Sequence, residues 1–134
     1  MAYQGSDVKL IFSGKLASGL LRLNYQILDV KQNKHQPDKT IFVFKDMDGL
    51  EEDLKTIRKL GNLRGLKKNL KQQTANAKLI FNPKIARRLL GMGYEVIDIK
   101  KNKDNPERIV FVFENVSGLE EDLDEIGLEE KKND

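Results

Sequence analysis

Lys84, Arg87 and Arg88 place three cations at positions i, i+3 and i+4, the spacing that gathers side chains on one side of an α-helix. With Gly91 two turns on, they make a surface fit to enter a DNA groove and meet phosphate oxygens. Sixty-nine residues earlier the equivalent positions hold Lys15, Ser18, Gly19 and Arg22, a less basic but still groove-compatible face. Two polar segments add further cations: Lys31, Lys34, His35 and Lys39 in one, and Lys100, Lys101, Lys103 and Arg108 in the other. Asn33 and Asn102 stand at matching points and offer hydrogen-bonding capacity. Residues 55–71 carry Lys55, Arg58, Lys59, Arg64, Lys67, Lys68 and Lys71 with no acid among them, so Arg64, Lys67 and Lys68 form a third candidate contact.

Other chemistry is poorly served. The single histidine, His35, has Asp104 at its counterpart, so nothing repeated depends on an imidazole. Asp29 and Asp98 are a repeated acid, expected at polar strand positions. The chain holds no cysteine, which removes disulfides, thiolate nucleophiles and thiolate metal ligands and agrees with a reducing compartment. It has no glycine-rich phosphate loop, His-Glu metal motif or nucleophile elbow. The expectation is a non-enzymatic protein with no cofactor and no metal.

The elements that would position these cations are written twice. Residues 8–57 and 77–126 align without a gap, with 24 identical pairs in 50. Identities at that density point to duplication. In each copy a short apolar stretch leads to Ser13-Gly14 or Asn82-Pro83, a helix N-cap with, in the second copy, Pro at the first helical position. The following helix puts Leu16, Ala17, Leu20 and Leu21, or Ile85, Ala86, Leu89 and Leu90, on one face, and should end at Asn24 or Gly93, residues that tolerate the left-handed conformation. Residues 25–30 and 94–99 then form the first strand of a hairpin. A polar loop with Pro37 or Pro106 leads to the second strand, residues 41–44 and 110–113. That second strand is apolar on both faces, so each copy needs a cover beyond its own helices, and the other copy is the economical one. A second helix opens at Asp48-Gly49-Leu50-Glu51 and Ser117-Gly118-Leu119-Glu120 in capping-box form, with acids in its first turn. Past Gly61 a short helix is expected over residues 63–71.

The expected fold class is therefore α+β: an internal duplication forming a pseudo-twofold internal dimer, a central antiparallel sheet with helices outside, and halves resembling a winged helix-turn-helix. Repeat one spans 8–60 (β-α-β-β-α), a basic bridge 61–76, repeat two 77–128, and an acidic tail 129–134. A fifty-residue unit is marginal alone, which favours two units sharing one core in a monomeric chain. The formal charge of +3 conceals an asymmetry, because residues 114–134 carry nine acids against two lysines and leave the rest at +10. A basic body with an acidic end suits a polyanion binder. No stretch reaches the roughly twenty apolar residues of a membrane helix, and residues 1–7 lack a signal-peptide core, so a cytoplasmic location without membrane contact is expected.

The paired segments KLASGLLRLNYQILDVKQNK (15–34) and KIARRLLGMGYEVIDIKKNK (84–103), in a basic cysteine-free chain of this size, resemble the TraN-type accessory proteins of Gram-positive conjugative plasmids, which belong to type IV secretion gene clusters. The resemblance implies an internal dimer with a helix-turn-helix element at each end, binding to double-stranded DNA near the origin of transfer, and other transfer proteins as further partners. No binding residue comes from it.

The expected function is thus double-stranded DNA binding in plasmid transfer, with loops on the backbone and helix faces in the grooves. The alternative is a protein-interaction module, a plasmid or phage adaptor or inhibitor, working through a sheet edge or the acidic tail. RNA binding is less favoured, because Phe42, Phe44, Phe111 and Phe113 lie in the most apolar strands.

Overall fold

The computed structural model describes residues 7–36, 39–105 and 108–132, with no side-chain placement from Glu130 onward. Pro37, Pro106 and the last residues of the acidic tail lie outside these. The described residues form β1 (Val8–Ile11), α1 (Gly14–Arg22), β2 (Ile27–Gln32), β3 (Thr40–Lys45), α2 (Leu50–Lys59), α3 (Leu70–Thr74), β4 (Ala77–Ile80), α4 (Pro83–Gly91), β5 (Val96–Lys101), β6 (Ile109–Glu114) and α5 (Leu119–Lys132). The β-α-β-β-α order expected from the sequence is present in each half. A single central sheet is not. The strands form two three-stranded antiparallel sheets, ordered β1-β3-β2 and β4-β6-β5. Their registers coincide under the 69-residue offset, as Val8 opposite Lys45 and Ala77 opposite Glu114 show.

Local chemistry sets the ends of α1 and α4. Ser13 and Asn82 are extended N-caps whose side chains accept from the backbone N–H of Leu16 and Lys84, and Pro83 takes the first turn of α4. Both helices stop before a left-handed residue, Asn24 at φ 72° and Gly93 at φ 98°. The expected capping box on α2 does not form as written. Gly49, at φ 92°, is itself the N-cap of α2 and no side chain caps it. The first-turn acids work elsewhere: Asp53 accepts from the Tyr25 hydroxyl at 2.6 Å, Asp122 accepts from Tyr94, Glu51 pairs with Lys9 at 2.6 Å, and Glu120 with Lys78 at 3.1 Å. A side chain at Gly118 (φ 94°) would be strained, and its Cβ would stand 3.2 Å from the Tyr94 hydroxyl. The short helix of the bridge is α3, residues 70–74, rather than 63–71. Residues 63–69 run without helix and dock on the end of α1, and α5 continues as helix to Lys132, into the segment expected to be a tail.

Packing joins the two halves. Ile11, Val30 and Phe42 stand side by side across the first sheet, next to the Ile27 and Phe44 pair, and all are buried. With their counterparts Ile80, Ile99, Phe111, Val96 and Phe113 they belong to one contiguous core. Val43 and Val112 point to the opposite faces and are buried too. Their cover comes from the partner half: α1 packs on β5 and α4 on β2, while each also packs against the second helix of its own half. Where α1 meets α2, Gly19 permits the approach, since a Cβ there would come within 2.9 Å of Ile57 Cδ1.

The two tyrosine contacts predict an alkaline limb. Tyr25, half-buried and then hydrogen-bonded to Asp53, is pushed up to about 12; Tyr94, donating to Asp122 and then burial-shifted, is also pushed up to about 12. An unfolded tyrosine ionises near 10.0. The stabilisation is therefore fully present below about pH 10 and is lost as pH rises toward 12. In urea titrations of Tyr25→Phe with Tyr94→Phe, the fall in stability between pH 10 and 12 should be shallower than in the parent. An equally steep fall would remove these tyrosines as its cause.

Candidate nucleic-acid interface

Each hairpin loop is closed by the same short-range pattern. Asn33 N–H donates to the Lys39 carbonyl at 3.1 Å, and Asn102 N–H to that of Arg108 at 3.0 Å. The Asn33 side-chain oxygen accepts from the N–H of His35 and Gln36, and the Asn102 oxygen from those of Asp104 and Asn105. These asparagine oxygens shape the loops rather than waiting for a ligand. Lys39 and Arg108 consequently sit at equivalent points, where each loop re-enters its ladder.

The two hairpins border one cleft of about 830 Å³. Lys15, Lys39, Lys100, Lys101 and Arg108 line it, with Asn33, His35, Gln36 and Thr40. No Asp or Glu is among its described lining residues. Lys15 donates to the Leu60 carbonyl at 2.6 Å, and none of the five cations is ion-paired among the described residues. Cations elsewhere are commonly engaged: Lys71 bridges Glu95 at 2.8 Å and Glu114 at 3.7 Å, and the hydrogen bond to Glu95 raises its pKa. A groove that concentrates one sign of charge between low-dielectric walls attracts the opposite sign. The first turn of α1, with Ser13 and Gly14 at the wall, adds the positive end of a helix dipole.

Several expected contacts are placed differently. Ser18 is 7 % exposed, and its hydroxyl donates to the buried Asp98 Oδ1 at 3.3 Å, because the face of α1 meant for DNA packs against β5. Arg22 is half-buried. Its Nη1 donates to the carbonyls of Leu63 and Leu66 at 2.7 and 2.6 Å, so it latches the bridge to α1 and does not reach outward. Asn69 reinforces the latch through the Leu21 carbonyl at 2.8 Å. On α4, Arg87 Nε is 3.1 Å from Asp29 Oδ1 and Arg88 is paired with Glu129 of α5, leaving Lys84 as the exposed cation there with no partner among the described residues. Lys31, Lys34 and Lys103 are exposed on the hairpins outside the cleft lining, and Arg64, Lys67 and Lys68 are exposed on the bridge.

Asp29 and Asp98 have a defined role. A register shift between Ile27 and Asp29, matched between Val96 and Asp98, puts each aspartate opposite Val43 or Val112, on the face covered by the other half's helix. There Asp29 meets Arg87 and Asp98 meets Ser18, which are themselves equivalent positions. Each carboxylate also accepts the next backbone N–H at 2.8 Å.

Phe12 and Phe81 were not among the expected contacts. Phe42, Phe44, Phe111 and Phe113 are buried as their strands suggest, but Phe12 and Phe81 are 61 % and 57 % exposed and both line the cleft. Their signal was present: both copies keep a phenylalanine directly before the helix N-cap, one residue beyond the strand.

No family model, curated protein or solved structure matches this chain. Among the described residues no helix is long and apolar enough to cross a membrane.

Proposed function

We propose that this protein is a non-enzymatic DNA-binding protein that grips the phosphate backbone in the cleft between its two hairpins. The observation that carries this is the cleft itself, lined by five cations from both halves with no described carboxylate among them. The duplication supports the reading, because a pseudo-twofold internal dimer brings two equivalent hairpins to one cleft with covalently fixed spacing. Wing-like hairpins therefore carry the contact. A helix seated in a groove would need a free face on α1, and that face is occupied by β5. Lys84, the bridge cations Arg64, Lys67 and Lys68 and the hairpin lysines Lys31, Lys34 and Lys103 would extend the backbone path. The resemblance to TraN-type proteins supplies the context of an accessory or regulatory factor in conjugative transfer, acting at a DNA site with other transfer proteins in the cytoplasm.

The test is fluorescence anisotropy of labelled random-sequence DNA, duplex and single-stranded, across a salt titration. If all five cleft cations meet phosphates, log affinity should fall against log salt with a slope of about −3.5 for single strands or −4.5 for duplex. Absence of binding to either form at about 50 mM salt, where several phosphate contacts are strong, would overturn the proposal.

A further inference from the structure

The same cleft carries two features that backbone grip does not need. Phe12 and Phe81 are large apolar rings more than half exposed inside a basic groove. Neither belongs to the core. Leaving such rings in water forgoes the gain from burying them, roughly 1.5–3 kcal/mol for a large apolar side chain. The equivalent rings in the core strands are fully covered, so the fold does not lack apolar places for phenylalanine. Cations that follow a backbone, with aromatic faces between them, are the parts list of a surface that binds unpaired nucleic acid: phosphates run along the charges and bases stack on the rings.

We propose that the cleft takes a single nucleic-acid strand, with one base stacked on Phe12 and another on Phe81 while Lys39, Lys100, Lys101 and Arg108 hold the phosphates between them. Size favours this over a double helix. A volume of about 830 Å³ is that of a small-molecule site and suits one or two nucleotides, whereas a duplex could touch only the rim. The paired bases of a duplex are also stacked on one another and present no free face to a ring. Charge complementarity commits the groove to a polyanion, since an acidic peptide would bring its negative charge without flat rings to pair with Phe12 and Phe81. This inference rests on the proposed nucleic-acid function and specifies the strand state and the contacts.

The chain contains no tryptophan, so Phe81→Trp introduces a single indole reporter at the site. A twelve-nucleotide oligo-dT, the matching oligo-rU and a twelve-base-pair duplex would each be titrated against the parent, Phe81→Trp, and Phe12→Ala with Phe81→Ala. Oligo-dT or oligo-rU should bind more tightly than duplex and quench the indole. Removing the rings should weaken single-strand binding by roughly 5- to 150-fold for each ring, from the energy that base–aromatic stacking carries, while duplex binding changes little. A preference between dT and rU identifies whether the strand is DNA or RNA. Both variants alter exposed side chains, and circular dichroism would confirm that they fold. Duplex binding equal to or tighter than single-strand binding, with no loss on removing the rings, overturns the single-strand inference and leaves the backbone grip standing. Loss of all binding by the parent overturns both.

Discussion

Lys39→Glu combined with Lys101→Glu weakens DNA binding by about 100-fold or more at low salt, each lost charge-assisted contact contributing about 1.5–3 kcal/mol before repulsion is added. The two lysines come from different hairpins and line one cleft, so the double variant tests whether both halves hold the same ligand. Each substitution should also lower the steepness of the salt dependence by about one. Either single variant should lose about tenfold, half of the effect in free energy, because two side chains that touch separate phosphates contribute independently. Both residues are exposed and neither is ion-paired among the described residues, so folding is unaffected and circular dichroism should match the parent. The matched control is Lys45→Glu with Lys55→Glu, an equal change in net charge at two exposed positions outside the cleft. Its salt slope should stay that of the parent. If the control loses as much affinity as the cleft variant, binding is a general response to net charge and the cleft has no special part in it.

What the sequence makes legible follows the range of the interaction. The N-caps at Ser13 and Asn82, the left-handed stops at Asn24 and Gly93 and the hairpin strands all depend on residues within a few positions, and their chemistry can be read locally. The expected capping box on α2 failed because the left-handed Gly49, which has no side chain to cap with, takes the N-cap place from Asp48, and its acid Glu51 pairs instead with Lys9, 42 residues away. Apolarity on both faces of β3 and β6 announces that something must cover them, and the cover is the other half's first helix. Which helix face is used up in doing so is not written in the helix. Ser18 and Gly19 read as a small, polar, accessible surface, yet small residues serve equally for close packing, and β5 and Ile57 take that face. Arg87 and Arg88 read as free cations by their helical spacing, and they meet Asp29 and Glu129 only because the fold brings strands and α5 alongside. Four of the cleft cations were legible as residues of the hairpin loops and their edges, and Lys15 as a helix-face cation. The rings beside them left one sign, a phenylalanine kept before each N-cap, but Phe12 and Phe81 also continue an apolar run and pattern alone assigns such residues to the core.

Cutting the chain between the repeats should abolish the fold of both pieces. Residues 1–62 and 63–134, expressed separately, should each lack a cooperative thermal transition, and mixing them should restore one. The reason is the exchanged packing. In the first piece Leu20 and Leu21 of α1, and Val43 on the outer face of the sheet, would lose β5 and α4, elements that only the second piece supplies. The same holds in reverse for Ala86, Leu89 and Val112. Fully burying one such side chain contributes about 1.5–3 kcal/mol, so exposing Leu20, Leu21 and Val43 together costs about 4.5–9 kcal/mol, comparable to the whole 5–15 kcal/mol that holds a small domain together. The cut also separates Arg22 from the carbonyls of Leu63 and Leu66, removing the latch that seats the bridge on α1. Intact chain should unfold in one transition by fluorescence and circular dichroism alike, as a shared core demands. Two separate transitions, or a first piece that folds alone with its hairpin protected from hydrogen exchange, would mean that each repeat is a domain in its own right. In that case the cleft would have no fixed width, and a ligand held by cations from both hairpins would have to bring the halves together for itself.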